Sequence, residues 1–146
     1  MIQSIKPLNH ALQKADDWLQ ELTEFGHFHD DEQAYSALRA VLHAIRNRLI
    51  PDEAVAFGSE FPLLIRGIYF EDFDLRYPKR HASVDEFLNT ISSEMRHLSF
   101  SLAPDQAAKI IFNYLKMKIR AGELRDVFDQ LPRDIRNLVI EREEVY

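Results

Sequence analysis

The chain has 146 residues, of which 46% are hydrophobic and 29% are charged, with 4 Gly, 6 Pro and no Cys. This composition excludes disordered, collagen-like and disulfide-stapled proteins. The absence of Cys also excludes enzymes with a cysteine nucleophile and metal centres with cysteine ligands. The formal net charge is −6, with 6 basic and 12 acidic side chains in residues 1–73 and 12 of each in the remainder, a balance that disfavours a nonspecific nucleic-acid partner.

Helical periodicity dominates the first half of the chain. Apolar residues recur three or four positions apart in four consecutive segments, which is the spacing of an amphipathic helix. Capping residues, Pro and Gly mark the helix ends. The predicted helices are a long one from about Leu8 to Gly26, one up to Leu49 with Asp30 or Asp31 as its cap, a short one from Pro51, and one from Phe61 and Pro62.

The segment at residues 71–82 separates two helical halves. It has no period and contains Pro78, so we predict a connection. Ser83 and Glu86 then form a capping box that predicts the next helix, and another helix is expected from about Pro104. The sequence has no alternating pattern of useful length, which predicts an all-α fold.

The two halves repeat each other at a constant offset of 70 in the numbering. The matched residues are Leu38, Val41, Leu42, Ile45 and Leu49 with Ala108, Ile111, Phe112, Leu115 and Ile119, then Glu53, Phe61-Pro62, Ile65 and Arg66 with Glu123, Leu131-Pro132, Ile135 and Arg136, and at an offset of 69 Trp18-Leu19 with Phe87-Leu88. We therefore predict a single all-α domain of about eight helices over residues 1–146. Its two similar units, at about 8–70 and 83–141, would pack about an approximate twofold axis.

Several longer motifs run through most of the chain. They are LQKADDWL at residues 12–19, AYSALRAVLHAIRNRL at 34–49, LLIRGIY at 63–69 and FDQLP at 128–132. Through these motifs the sequence closely resembles the bacterial family catalogued as domain of unknown function 2267. The resemblance implies an all-helical duplicated domain and supplies no catalytic residue. The chain departs from the commoner family wording at Glu60-Phe61 and at residues 70–73.

A basic stripe is the first candidate site. Arg39, His43 and Arg46 share one helix face, and the offset of 70 leads from them to Lys109, Asn113 and Lys116. Two such stripes suit a phosphate or carboxylate anion, or a partner surface. The alternative is a pair of solvated helix backs whose cations face solvent or pair locally with acidic residues, and we expect this one.

His27 and His29 are weak candidate metal ligands. With Asp30, Asp31 and Glu32 they form a group that zinc or nickel can bind. A two-residue spacing in a turn fixes no third ligand, and the carboxylates have a sufficient role as helix caps. We therefore expect a surface loop, and we expect neither a metal nor another cofactor.

An aromatic cluster is the remaining candidate surface. Tyr69, Phe70, Phe73 and Tyr77 alternate with acidic residues near the connection. They form either an exposed partner patch or a plug in the seam between the two units, and we expect the plug.

The most direct interpretation of function is a noncatalytic interaction or regulatory module with a protein partner. The rival is a small-molecule or anion-binding helical domain with an enzymatic use. We favour the first because the sequence has no recognised catalytic motif, and because Glu53 and Glu123 each lie in a first helical turn, where the helix dipole explains a carboxylate.

No apolar run approaches the roughly 20 residues of a membrane span and no signal peptide is evident, so we expect no membrane association and a cytoplasmic location. A homodimer stays open.

Overall fold

The computed structural model describes residues 1–75, 83–95 and 102–140, and all regular structure in these ranges is helical. A 3-10 turn at Ile2–Ser4 precedes α1 (Lys6–Gly26), α2 (Asp31–Arg46), α3 (Pro51–Gly58), α4 (Leu63–Phe70), α5 (Val84–Met95), α6 (Pro104–Lys118), α7 (Ala121–Gln130) and α8 (Arg133–Val139). The prediction of an all-α fold with about eight helices is confirmed for these described residues. None of these helices combines the length and apolarity that a membrane crossing requires.

The ends of α1 and α2 follow from capping chemistry and close packing. The carboxylate of Asp30 begins α2 by accepting a hydrogen bond of 2.8 Å from the Gln33 N–H. Helix α1 ends at Gly26 as predicted, but the left-handed residue is His27, with a φ of 54°. Gly26 serves close packing, because a Cβ there would lie 2.5 Å from the Phe28 ring.

Prolines mark helix starts in both halves. Pro51 is the first residue of α3, and Pro62 and Pro132 are the N-caps of α4 and α8. The carbonyl groups of these two N-caps accept hydrogen bonds from the N–H groups of Arg66 and Arg136, at 2.8 and 2.9 Å. Because the ring fixes φ near the helical value, proline is well suited to these positions. The prediction that Pro62 and Pro132 occupy helix starts is confirmed.

The core lies around α2 and α6. Eleven of the sixteen residues of α2 are buried, because α1, α4, α5 and α6 all pack against this helix. Helix α6 in turn contacts α1, α5, α7 and α8. Leu42 and Phe112, which are matched in the sequence, are 0% and 3% exposed. The apolar stripes of the two helices therefore form the core, as their periodicity predicted.

Candidate functional site

The polar face of α2 is part of the interior. Arg46 is 4% exposed, and its Nη1 donates to the carbonyl oxygens of Tyr69 and Glu71 at the end of α4. Its guanidinium carbon lies 5.1 Å from the centre of the Phe73 ring. Arg46 therefore ties the end of α4 and the residues after it to α2, and the expectation of a solvated face is wrong here.

Arg39 and His43 share a carboxylate of α5. Arg39 Nη1 donates to Glu94 Oε1 at 2.7 Å, and Arg39 Nε donates to Glu71 Oε1 at 2.8 Å. His43 is 3% exposed, with Nδ1 at 2.7 Å from Glu94 Oε1 and Nε2 at 2.7 Å from the carbonyl oxygen of Ile68. Both ring nitrogens of His43 therefore lie within hydrogen-bond distance of an acceptor oxygen. Local pairing with acidic residues is confirmed for Arg39, and a solvated position is wrong for His43.

The second basic stripe has a different environment. Lys109 is half-buried, and its carbonyl oxygen accepts from Asn113 Nδ2 at 2.8 Å. Lys116 is exposed, with Nζ 5.9 Å from the centre of the Phe112 ring. Arg39 and Arg46 contact residues of α5 and the end of α4, whereas Lys116 borders residues of α7. The contacts of the two stripes therefore run to different elements.

The aromatic residues at the end of α4 divide between core and surface. Tyr69 is fully buried, contacts the rings of Phe57, Phe61 and Phe70, and donates from its hydroxyl to the Ala54 carbonyl at 2.6 Å. Burial raises the pKa of Tyr69. Phe70 and Phe73 are half-buried. An exposed patch is thus wrong for Tyr69, and Tyr77 lies outside the described residues.

An open groove lies between the end of α6, α7 and Ile140. It has a volume of about 310 Å³. Its floor is apolar, and two exposed cations, Lys116 and Arg125, lie at its edge. The lining residues are Phe112, Lys116, Ala121, Leu124, Arg125, Phe128 and Ile140. Among them the sequence analysis named only Lys116 as a candidate site residue, because a groove between separate helices leaves no local pattern.

A cluster of carboxylates lies where α3 packs against α7. Glu53, Glu123 and Asp126 each place a carboxylate oxygen within 4.8 Å of the others. Glu123 is 8% exposed, and Oε1 of both glutamates is buried without a hydrogen-bond partner. Burial, and then the neighbouring carboxyl group of Glu53, raise the pKa of Glu123 to about 7. The sequence analysis explained both glutamates by the helix dipole and missed Asp126.

The sequence profile of a family described as an uncharacterized conserved protein, DUF2267, matches residues 15–138. The chain belongs to the DUF2267 family. The predicted family resemblance is therefore confirmed. A comparison with curated proteins gave no match.

The two histidines that the sequence analysis singled out lie on the surface of this DUF2267 protein. His27 is exposed at the end of α1, and His29 Nε2 is 4.0 Å from Asp30 Oδ2. Among the described residues, the group whose spacing suits a metal ion is Glu53, Glu123 and Asp126. The offset of 70 that relates Glu53 to Glu123 was the available signal for this cluster.

Proposed function

We propose that this DUF2267 chain is a noncatalytic interaction module. Two copies of one helical unit pack about an approximate twofold axis, and the groove of the second copy binds an acidic, aromatic-containing segment of a partner protein. The observation that carries the proposal is the groove beside Phe112, whose apolar floor has Lys116 and Arg125 at its edge.

The order and contacts of the helices support the duplication. At the offset of 70, α2, α3 and α4 fall on α6, α7 and α8, and each bound agrees to three positions or better. Helix α1 contacts α2, α4 and α6, and α5 contacts α6, α8 and α2, so the two halves exchange contacts. Equivalent helices also meet each other, α2 with α6 and α3 with α7. This is the arrangement expected near a twofold axis.

Two reciprocal hydrogen bonds give further support. The Ile50 N–H donates to Gln130 Oε1 at 3.1 Å, and the Arg120 N–H donates to Glu60 Oε1 at 3.2 Å. The offset of 70 relates Ile50 to Arg120, and the same offset relates Glu60 to Gln130. Reciprocal contacts of this kind are typical of two equivalent units that face each other across a twofold axis.

The first half indicates what suits the groove. Arg46, which corresponds to Lys116, is covered by the Phe73 ring and by the carbonyl oxygen of Glu71. The cavity that remains beside Arg46 and Phe73 has a volume of about 20 Å³, compared with about 310 Å³ for the groove. The chain after α4 therefore fills in the first half a position that no described residue fills in the second.

Closer to α3, the two halves differ at one further contact. Phe70 packs so tightly on Gly58 that a Cβ would lie 2.5 Å from its ring. The corresponding residues of the second half are Ile140 and Phe128, which both line the groove. A phenylalanine in place of the glycine leaves no room for the same packing, so Ile140 cannot lie on α7 as Phe70 lies on α3.

In the first half, the position beside Arg46 is filled by the segment Glu71-Asp72-Phe73-Asp74. This segment has one aromatic ring flanked by three carboxylates. A partner segment of the same chemistry would place its ring on the apolar floor. Its carboxylates would then lie near Lys116 and Arg125, which gives charge complementarity. The occupant that we infer is therefore an acid-flanked aromatic segment of another protein.

A labelled peptide tests the proposal directly. We expect the full chain to bind fluorescein-labelled FEDFDL, the sequence of residues 70–75, saturably in a polarisation assay. The double variant Lys116→Glu, Arg125→Glu should weaken binding by about fivefold or more, roughly 1 kcal/mol or more. Replacing the peptide phenylalanine of position 73 by serine should weaken binding comparably.

The matched control is Arg133→Glu, which reverses an exposed cation outside the groove lining and should leave the affinity unchanged. Equal affinity of wild type and double variant would overturn the proposal. Binding that requires deletion of residues 141–146 would also overturn it, because the chain's own end would then compete for the groove. A concentration-dependent dimer that the double variant abolishes would make a second copy the occupant.

A second candidate function is supported by the size of the groove. Its volume of about 310 Å³ falls at the lower end of small-molecule sites, roughly 300 to 1,000 Å³. An amphiphilic carboxylate would place its apolar part beside Phe112 and Phe128 and its charge near Lys116. Thermal shift with medium-chain fatty acids and aryl carboxylates tests this, and a rise in Tm that Lys116→Glu abolishes would favour the small ligand.

A further inference from the structure

We propose that the contact between α3 and α7 is a divalent-cation site, formed by Glu53, Glu123 and Asp126 and selective for oxygen-preferring ions such as Mg²⁺, Mn²⁺ or Ca²⁺. The site is separate from the groove and goes beyond the interaction function proposed above. Three carboxylates without sulfur or nitrogen ligands are the chemistry of hard cations.

The spacing of the carboxylates fits one ion. One oxygen from each of the three side chains lies within 4.8 Å of the other two. Oxygens bound to one cation at roughly 2.0 to 2.6 Å cannot lie more than about 4 to 5 Å apart. The three carboxylates can therefore bind a common ion with little movement, and Asp126 is exposed, so solvent reaches the cluster.

An independent observation is that the buried carboxylates are unsatisfied. Glu123 is 8% exposed, and its Oε1 and that of Glu53 are buried without a hydrogen-bond partner. A buried carboxylate oxygen without a donor is destabilising unless a cation or a proton compensates it. The Glu123 side chain therefore requires either a cation or a proton, and the metal titration below distinguishes the two.

Donor groups near the cluster are already bound elsewhere. Tyr69 is affected by the charges of Glu53 and Glu123, but its hydroxyl donates to the Ala54 carbonyl at 2.6 Å. Arg120 precedes α7, and its Nε donates to Glu60 Oε1 at 3.0 Å. The Tyr69 hydroxyl is therefore not available to the glutamates. The single positive charge of Arg120 acts on Glu123 and Asp126 but is shared with Glu60, so it does not balance three carboxylates.

The amino-terminal ends of α3 and α7 offset part of the negative charge of the cluster. Glu53 and Glu123 are the third residues of α3 and α7, so each lies near the positive end of a helix dipole. Each dipole end is equivalent to about half a charge, which does not balance three carboxylates. Asp126 lies one turn further along α7 and adds the third negative charge. A divalent ion would balance the difference and displace any proton shared by the two glutamates.

Metal titration of the full chain tests the site. After treatment with EDTA and dialysis, we expect MnCl₂, CaCl₂ or MgCl₂ to raise Tm by roughly 5 to 10 °C at about 100 times the dissociation constant. Electron paramagnetic resonance should show one Mn²⁺ lost from the free-ion signal per chain. Glu123→Gln and Asp126→Asn should each abolish the rise in Tm and the Mn²⁺ binding.

Two variants distinguish an ion bound at this site from a general effect of divalent salts on stability. Asp129→Asn changes an exposed carboxylate of the same helix and should keep both responses. Asp126 is exposed, so Asp126→Asn tests the site in a chain that retains its core. A Tm that none of the three ions changes by more than about 1 °C would overturn the proposal. Mn²⁺ binding retained in Asp126→Asn would overturn it too, whatever the outcome for the groove.

Discussion

The guanidinium carbon of Arg48 lies 4.9 Å from the centre of the Phe87 ring. The corresponding contact in the other half is between Lys118 and Trp18, with Nζ 5.2 Å from the ring centre. Each cation therefore covers an aromatic ring of the other half. Arg48 is 1% exposed and its Nη1 donates to the Ala44 carbonyl at 2.9 Å, whereas Nε and Nη2 have no hydrogen-bond partner in the part of the chain that the structure describes. Burial lowers the pKa of Arg48 to about 10.

Arg48→Met should leave the free energy of unfolding unchanged or raise it by about 1 kcal/mol. The apolar side chain still packs on Phe87, and the cost of two buried donors without acceptors is removed. Urea denaturation measures the difference. Arg125→Met, at an exposed position, is the control and should stay within about 0.5 kcal/mol of wild type. A loss above about 1 kcal/mol for Arg48→Met would show that the cation contributes net stability.

Leu42→Ala and Phe112→Ala should each lower the free energy of unfolding by about 2 to 5 kcal/mol. Both side chains are buried, at 0% and 3% exposure, on the central helices. Chemical denaturation checks both, with Val55→Ala as the control because Val55 is 54% exposed. A loss below about 1 kcal/mol at either position would place that residue outside the core.

Glu94→Gln should lower the free energy of unfolding by about 1 to 3 kcal/mol. Its Oε1 accepts from Arg39 and faces the buried ring of His43, so the substitution leaves Arg39 with Glu71 as its remaining ion-pair partner and removes the carboxylate beside His43. Thermal and urea unfolding at neutral pH measure the loss. Glu24→Gln, at an exposed position of α1, should stay within about 0.5 kcal/mol of wild type. An equal effect of the two variants would contradict the role of Glu94.

Glu123 should make stability depend on pH when EDTA is present. Its pKa of about 7 in the folded chain is above the ordinary value of 4.5, so between these pH values the unfolded chain ionises while the folded chain stays protonated. The stability that the protonated group contributes is complete below pH 4.5 and is lost as pH rises through 7, by on the order of 2 to 3 kcal/mol.

Glu123→Gln removes this dependence, because the amide does not ionise. We therefore expect the variant to be more stable than wild type at pH 8 and equally stable at pH 4.5, as measured by urea denaturation at both values. Asp129→Asn is the control and should follow the wild-type profile. A constant difference between Glu123→Gln and wild type over this range would contradict the raised pKa.

Polar patterning along a helix did not predict which polar residues are buried. Arg39, His43 and Arg46 follow the spacing of a solvent-exposed helix face. The groups that they contact are those of Glu71 and Glu94 and the Ile68 carbonyl, which lie 25 to 55 positions away in the sequence. Because α4 and α5 both pack on α2, this face became interior. Buried polar groups persist there because almost every one has a partner.

Local sequence determined the helices of this protein. Apolar spacing, the Asp30 cap and the prolines at helix starts act within a few residues, so the helices followed from nearest neighbours, although α2 ends at Arg46 and not at the predicted Leu49. The offset of 70 was also visible in the sequence alone, because apolar residues and the Phe61-Pro62 and Leu131-Pro132 landmarks recur at this spacing. The family resemblance followed from the same motifs.

Only the tertiary structure decided the candidate sites. The cluster of Glu53, Glu123 and Asp126 exists because α3 packs against α7, and the groove beside Phe112 exists because the end of α6, α7 and Ile140 surround it. Both are distances between segments far apart in the chain. Such distances are set by the packing of whole helices, whereas spacing along the sequence determines only which residues share a helix face.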